Sequence, residues 1–186
     1  NANPKAPDDE TEDGVTNRVS GRRKVAPEHT SAAVLKLLGK PSFKYFHKFK
    51  QRFDSINIKK KLNLQLIPYF ISSHPACELE DMANLAAETK DMGFQLEQVQ
   101  GFTPTPMTVA TVIYYSGYHP YTLEKIYTPR SSQEKSEQHR FFFWYKKENQ
   151  DWIKNTLQKV NRQDLIKALL PSVFTGTKQE KTKMKP

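Results

Sequence analysis

Residues 64–78 read LQLIPYFISSHPACE, and the fold turns on how this stretch is interpreted. From Leu64 to Ile71 it is almost continuously apolar, which suits a strand buried on both faces, as in parallel sheets. Pro68 removes one ladder donor from that strand. The run ends in the polar turn Ser72-Ser73-His74-Pro75. A helical pattern follows over 78–92, with Met82, Leu85, Ala86 and Met92 on one face and Gly93 as the stop. Residues 96–102 read as a further strand. Strand, helix and strand with short joints make a βαβ unit, which belongs to a parallel sheet with a right-handed crossover.

Upstream, 23–27 is a short apolar-containing run ending in Pro27-Glu28-His29. Thr30 or Ser31 can then cap a helix carrying Val34, Leu35, Leu37 and Leu38, which Gly39 and Pro41 stop. Ser42 caps a second helix running to about Asn57, with Phe43, Phe46, Phe49, Phe53 and Ile56 on its apolar side. Lys44, Lys48, Lys50, Arg52, Lys59, Lys60 and Lys61 are opposed there by Asp54 alone. They form either a solvated helix face or a surface for nucleic acid.

Downstream, Thr103-Pro104-Thr105-Pro106 is loop, and 109–115 is a short helix or an extended segment. Beyond Pro129 three helices are expected, over 131–147, 149–160 and 162–170, with Asn161 capping the last. This aromatic-rich block is expected to pack on the α/β part. The ends lack core-forming residues: 1–20 is acidic and expected to be disordered, and 175–186 is a basic, disordered tail. Asn1-Ala2 reads as a cloning remnant, so a piece of a longer protein is expected. The domains expected are therefore a barrel-like part over 21–121 and a helical accessory region over 122–174.

The chain has 186 residues, 37% of them hydrophobic, and a net charge of +9, so the packed part is smaller than the chain and encounter with polyanions is favoured. Its single cysteine, Cys77, excludes an internal disulfide and any thiolate-rich metal site built by this chain alone. No run approaches the roughly 18 apolar residues of a membrane span, and no secretory signal is visible, so no membrane partner and a cytoplasmic setting are expected.

In parallel α/β folds, functional groups gather at the carboxyl ends of the strands, where the loops leave the sheet uncovered by helices. That rule selects Glu28 and His29, then Ser72, Ser73 and His74, then Phe102 and Thr103 in the loop to Pro106. Each has a plainer alternative. Glu28 and His29 can be an acid and a satisfied imidazole beside a helix N-terminus, and Ser72 to Pro75 only a polar turn. Adjacent Ser and His are not oriented as nucleophile and base, and no third partner is evident. His47 and His119 lack ligand partners at metal spacing, and Cys77 is expected to be buried. No Gly-rich phosphate loop is present.

Lys24-Val-Ala-Pro-Glu-His-Thr30, Tyr69-Phe-Ile-Ser-Ser-His-Pro75, Asp81-Met82 and Gln98-Val-Gln-Gly-Phe-Thr-Pro-Thr-Pro106 resemble, in order and spacing, the YgiQ family of radical S-adenosylmethionine (SAM) proteins. The likeness runs over about 22–121 and more weakly through the C-terminal helices. The block is also distantly similar to radical SAM methylthiotransferases. The resemblance implies an incomplete (βα) barrel fragment, parallel strands four to six, whose missing N-terminal half carries the CxxxCxxC loop for a [4Fe-4S] cluster. It also implies that Glu28 accepts hydrogen bonds from a ribose hydroxyl or the SAM amine, that His29, Ser72, Ser73 and His74 line the cofactor, and that Phe102 and Thr103 border adenine or substrate. The family usually has Gly where this chain has Ala76, which is tolerated if that turn does not need positive φ.

On this resemblance the parent is a radical SAM enzyme of unknown substrate, in which a 5′-deoxyadenosyl radical abstracts hydrogen, and this chain alone is inactive. The competing expectation is a basic RNA-binding module. The third is a structural piece that self-associates through the strand edge near 23–27.

Overall fold

The computed structural model describes residues 21–171. The segment 1–20 and the tail 175–186 lie outside the described residues. Strands β1 (Arg22–Glu28), β2 (Gln65–Ser72) and β3 (Gln98–Gly101) form one sheet in the order β1-β2-β3, and both pairings are parallel. Helices α1 (Ala32–Leu37) and α2 (Lys44–Lys59) connect β1 to β2, and α3 (Leu79–Asp91) connects β2 to β3. The protein is α/β.

The apolar run of β2 is buried on one face rather than two. Leu66, Pro68, Phe70 and Ser72 are buried, whereas Ile67, Tyr69 and Ile71 are half-exposed. The helices explain the difference, because they cover the first face, with the Phe43 ring centroid 6.2 Å from that of Phe70. Pro68 is tolerated at an interruption of the ladder. It lies opposite Val25, just before the register shifts on the way to Glu28, and β3 joins only from Tyr69.

The segment left open at 109–115 is a helix, α4 (Val109–Ser116). Thr108 caps it by accepting from the Thr111 N–H, and Gly117 ends it at φ 80°. The helix expected over 131–147 stops short: α5 (Ser132–Arg140) tightens into a 3-10 turn (Phe141–Phe143), and α6 (Lys147–Lys159) corresponds to the helix expected over 149–160. The break buries Phe141 and Phe142 while the chain turns, and the Asn149 side chain holds it by donating to the Phe143 carbonyl. In α7 (Gln163–Leu169), Arg162 rather than Asn161 occupies the N-cap position, and Asn161 takes φ 61° in the joint before it.

The C-terminal helices do not stand apart. Helix α3 packs against α5, the 3-10 turn and α7, and one apolar core runs from Val34 to Leu170. Lys90 fastens the contact by donating to the carbonyls of Ala168 and Leu169 at the end of α7. Among the described residues, no helix is long and apolar enough to cross a membrane.

Candidate functional site

The carboxyl ends of the three strands meet at an open cleft of about 470 Å³, closed on one side by the start of α4. Glu28, Tyr69, His74, Gln100, Phe102 and Thr103 line it, with Ile71 and Thr108 among their neighbours. Glu28 ends β1 at φ 68° with its carboxylate 3.4 Å from Lys40 Nζ. The Tyr69 hydroxyl donates to Gln100 Oε1, and its pKa is raised by desolvation and then by the Glu28 carboxylate.

His74 is fully buried behind the Phe102 ring, which it meets edge-on at 4.9 Å between centroids. Its Nδ1–H donates to the Pro75 carbonyl at 2.8 Å, which leaves Nε2 with the lone pair, and Nε2 has no partner. Burial lowers the pKa of the ring, against the opposing effect of the Pro75 hydrogen bond, so the imidazole is a neutral acceptor. The hydroxyls of Ser72 and Ser73 are likewise buried and unpartnered. Three consecutive residues thus present polar atoms with no protein partner, where buried polar atoms are ordinarily paired.

His29 faces inward. Its Nδ1 accepts from the Ser31 N–H at 3.0 Å, and its Nε2 lies 3.4 Å from Cys77 Sγ. Burial first, and proximity to His74 second, lower its pKa to about 3. The Cys77 thiol is pushed up by burial and lies 3.8 Å from the Glu78 carbonyl, so the pair is a neutral tie between the ends of β1 and β2, not a thiolate–imidazolium couple. The structure therefore gathers Glu28, His74, Phe102 and Thr103 on the cleft and sets Ser72, Ser73 and His29 behind its wall.

Two contributors escaped the sequence reading. Gln138 of α5 accepts from the Ser73 N–H at 2.8 Å and donates to the Cys77 carbonyl at 2.6 Å. The Tyr127 carbonyl accepts from the Ala76 N–H at 2.8 Å. The only sequence signal for Gln138 is its spacing of three and four residues from Phe141 and Phe142, which places it on their face of the helix. Ala76 adopts φ 67°, so the turn does need positive φ and the chain meets that need without Gly.

The Glu28 carboxylate, the neutral His74 acceptor, the Tyr69 and Thr103 hydroxyls and the Phe102 ring, all on the cleft, can hold a ligand that carries hydroxyl or ammonium donors and a flat apolar part. Among the described residues, no group of three or more His, Cys, Asp or Glu could hold a metal ion.

A family model described as "Domain of unknown function (DUF3362)" matches residues 97–183, from the approach to β3 through the C-terminal helices. The chain is 57% identical over 165 residues to a UPF0313 protein of Porphyromonas gingivalis, covering 89% of the chain and 26% of that relative. A UPF0313 protein of Bacteroides thetaiotaomicron is 58% identical over 159 residues, covering 86% and 26%, and one of Methanocella arvoryzae is 46% identical over 149 residues, covering 80% and 25%. The chain spans about a quarter of the length of these curated relatives. These similarities, each to about a quarter of a longer protein, support a UPF0313 family member, the family to which YgiQ belongs.

Proposed function

We propose that this chain supplies strands four to six of a radical SAM partial barrel, half of the SAM pocket and a helical accessory region, with the cluster-bearing remainder supplied by the rest of a longer protein. The observation that carries the reading is His74 Nε2, buried and unpartnered on a cleft rimmed by Glu28, with the unpartnered Ser72 Oγ and Ser73 Oγ packed behind the same wall. Such atoms call for a donor-rich ligand. Ribose hydroxyls and an ammonium group fit Glu28 and His74, and a flat base fits the Phe102 ring. The half-exposed face of β2, with Ile67, Tyr69 and Ile71, is what the interior of a barrel looks like when its other strands come from elsewhere.

The residues here do not fit the cluster itself. A [4Fe-4S] centre of this type needs three thiolates, and Cys77 is the chain's single cysteine, buried against His29. On this reading the cluster and SAM together supply hydrogen-atom abstraction, and the residues of this chain bind and orient the nucleoside side of the cofactor. The test is anaerobic reconstitution, with iron and sulfide, of a full-length protein that contains this chain. Glu28→Ala should lower the yield of 5′-deoxyadenosine from SAM while the cluster spectrum is unchanged. A folded wild type with neither cluster nor cleavage overturns the reading.

One observation favours a second reading, RNA binding. Parallel pairing brings Arg22, Arg23 and Lys24 of β1 beside the start of β2, which three residues separate from Lys59, Lys60 and Lys61. This cationic end of the sheet lies opposite the cleft. Binding there would weaken steeply with salt, and affinity for single-stranded RNA that is flat between low and moderate salt removes this reading.

A further inference from the structure

Helix α5 is docked in an unusual way. Of its nine residues the one that is buried is polar, Gln138, at 1% exposure. An apolar stripe therefore does not account for its seat, and the amide does. Its oxygen takes the N–H of Ser73 and its nitrogen gives to the carbonyl of Cys77, so a single side chain grips both ends of the 73–77 loop.

That loop needs holding. Ser73 and Ala76 both sit in the left-handed region, at φ 62° and 67°, where side-chain-bearing residues are disfavoured. The loop also keeps Ser73 Oγ and His74 Nε2 buried without partners, although relaxation toward water would satisfy both. Its other support comes from the same unit. Ala76 N–H donates to the carbonyl of Tyr127, and the Tyr127 hydroxyl donates to Glu134 in the capping box that starts α5.

We propose that Gln138 is a positioning residue, through which the C-terminal helical region holds the 73–77 loop in the conformation that presents His74 to the cleft. The helical part of the region matched as a domain of unknown function thereby becomes a clamp on a ligand site that the start of the same region helps to line. The clamp stands on geometry, and its bearing on ligand affinity rests on the SAM-pocket reading.

Cys77 reports on the clamp without any cofactor, because it is the chain's single thiol, fully buried, and its carbonyl is one of the two groups gripped. Labelling of the native chain by dithiodipyridine should be faster by about 10-fold in Gln138→Ala, the consequence of losing two buried hydrogen bonds. Gln138→Glu separates positioning from general destabilisation. A protonated carboxyl offers one acceptor and one donor, as the amide does, whereas a carboxylate sets an oxygen against the Cys77 carbonyl. The ratio of variant to wild-type rate should therefore be near one at acid pH and rise as the carboxyl ionises. Lys90→Ala, which uncaps α7 away from the loop, should leave the rate unchanged. A Gln138→Ala rate that rises only as far as its loss of global stability requires overturns the proposal, as does a Gln138→Glu ratio that is flat with pH. If Gln138→Ala does not fold, the pH series on Gln138→Glu carries the test. In the full-length protein, S-adenosylhomocysteine should bind about 10-fold more weakly to Gln138→Ala, the factor set by the same two bonds. Equal affinity in both proteins refutes the positioning role, whereas no binding to wild type, with the labelling result intact, refutes the SAM reading and leaves the clamp standing.

Discussion

Phe70 and Ser72 lie two residues apart on the same face of β2 and are equally inaccessible, yet they follow opposite rules. Phe70 packs under the start of α2, in ring contact with Phe43. Ser72 Oγ has no partner, and within four residues the chain passes through two non-glycine residues at positive φ. Glu28 and Met107, also at positive φ, flank the same cleft. The body of the strand is arranged for packing, and its carboxyl end keeps conformations and unpaired groups that packing would remove. Such departures concentrate where a structure is built to meet a ligand.

The largest expected effect tests the packed half. Phe70→Ala should destabilise the chain by about 3–5 kcal/mol in urea denaturation, since it opens a cavity between the sheet and α2 that its neighbours fill only in part. A loss below about 1 kcal/mol would mean that this face is loosely packed and would abolish the contrast with the loop.

A smaller effect of opposite sign is expected at Ala76. Gly is at ease at φ 67° where Ala is strained, and the gain outweighs the extra freedom Gly brings to the unfolded chain. Ala76→Gly should therefore raise stability by about 1 kcal/mol, read from the same denaturation curves. A loss of stability would show that the neighbouring contacts, the Tyr127 carbonyl among them, require the Ala methyl and that the loop is not strained at this point.

How far the sequence reading reached follows the same division. The unit from β2 to β3 was legible because a continuous apolar run gives way to helical spacing and Gly93 marks the end of α3, where it adopts φ 78°, although that run did not show which face of β2 is covered. Residues 109–115 were not, because they are apolar nearly all round, and only the Thr108 cap and Gly117 identify the helix. The break at Phe141 was hidden because the aromatic spacing continues that of the helix before it. At the cleft, the positions of Glu28, His74, Phe102 and Thr103 followed from the strand-end rule, which did not show that Ser72 and Ser73 lie behind the wall. The inward turn of His29 toward Cys77, 48 residues away, did not, nor did the grip of Gln138 on Ser73, 65 residues away. Both are long-range pairings of polar groups, and periodicity carries no information about them.

The smallest expected effect is the sharpest on the comparison, because it falls on the residue that shares a strand face with Phe70. Removing a hydroxyl from a buried site usually destabilises, since it strands a partner. Ser72 Oγ strands nothing, because it has no partner to lose. Ser72→Ala should therefore be neutral or stabilising, by up to about 1 kcal/mol, the relief of a desolvated and unpaired group. If the hydroxyl is kept for the sake of ligand binding, through the turn that carries His74 on the cleft, the same substitution in a full-length protein should weaken S-adenosylhomocysteine binding while leaving the unfolding midpoint at or above that of wild type. Loss of stability with unchanged affinity would mean that an ordered water satisfies Ser72 and that the carboxyl end of β2 is built for packing after all.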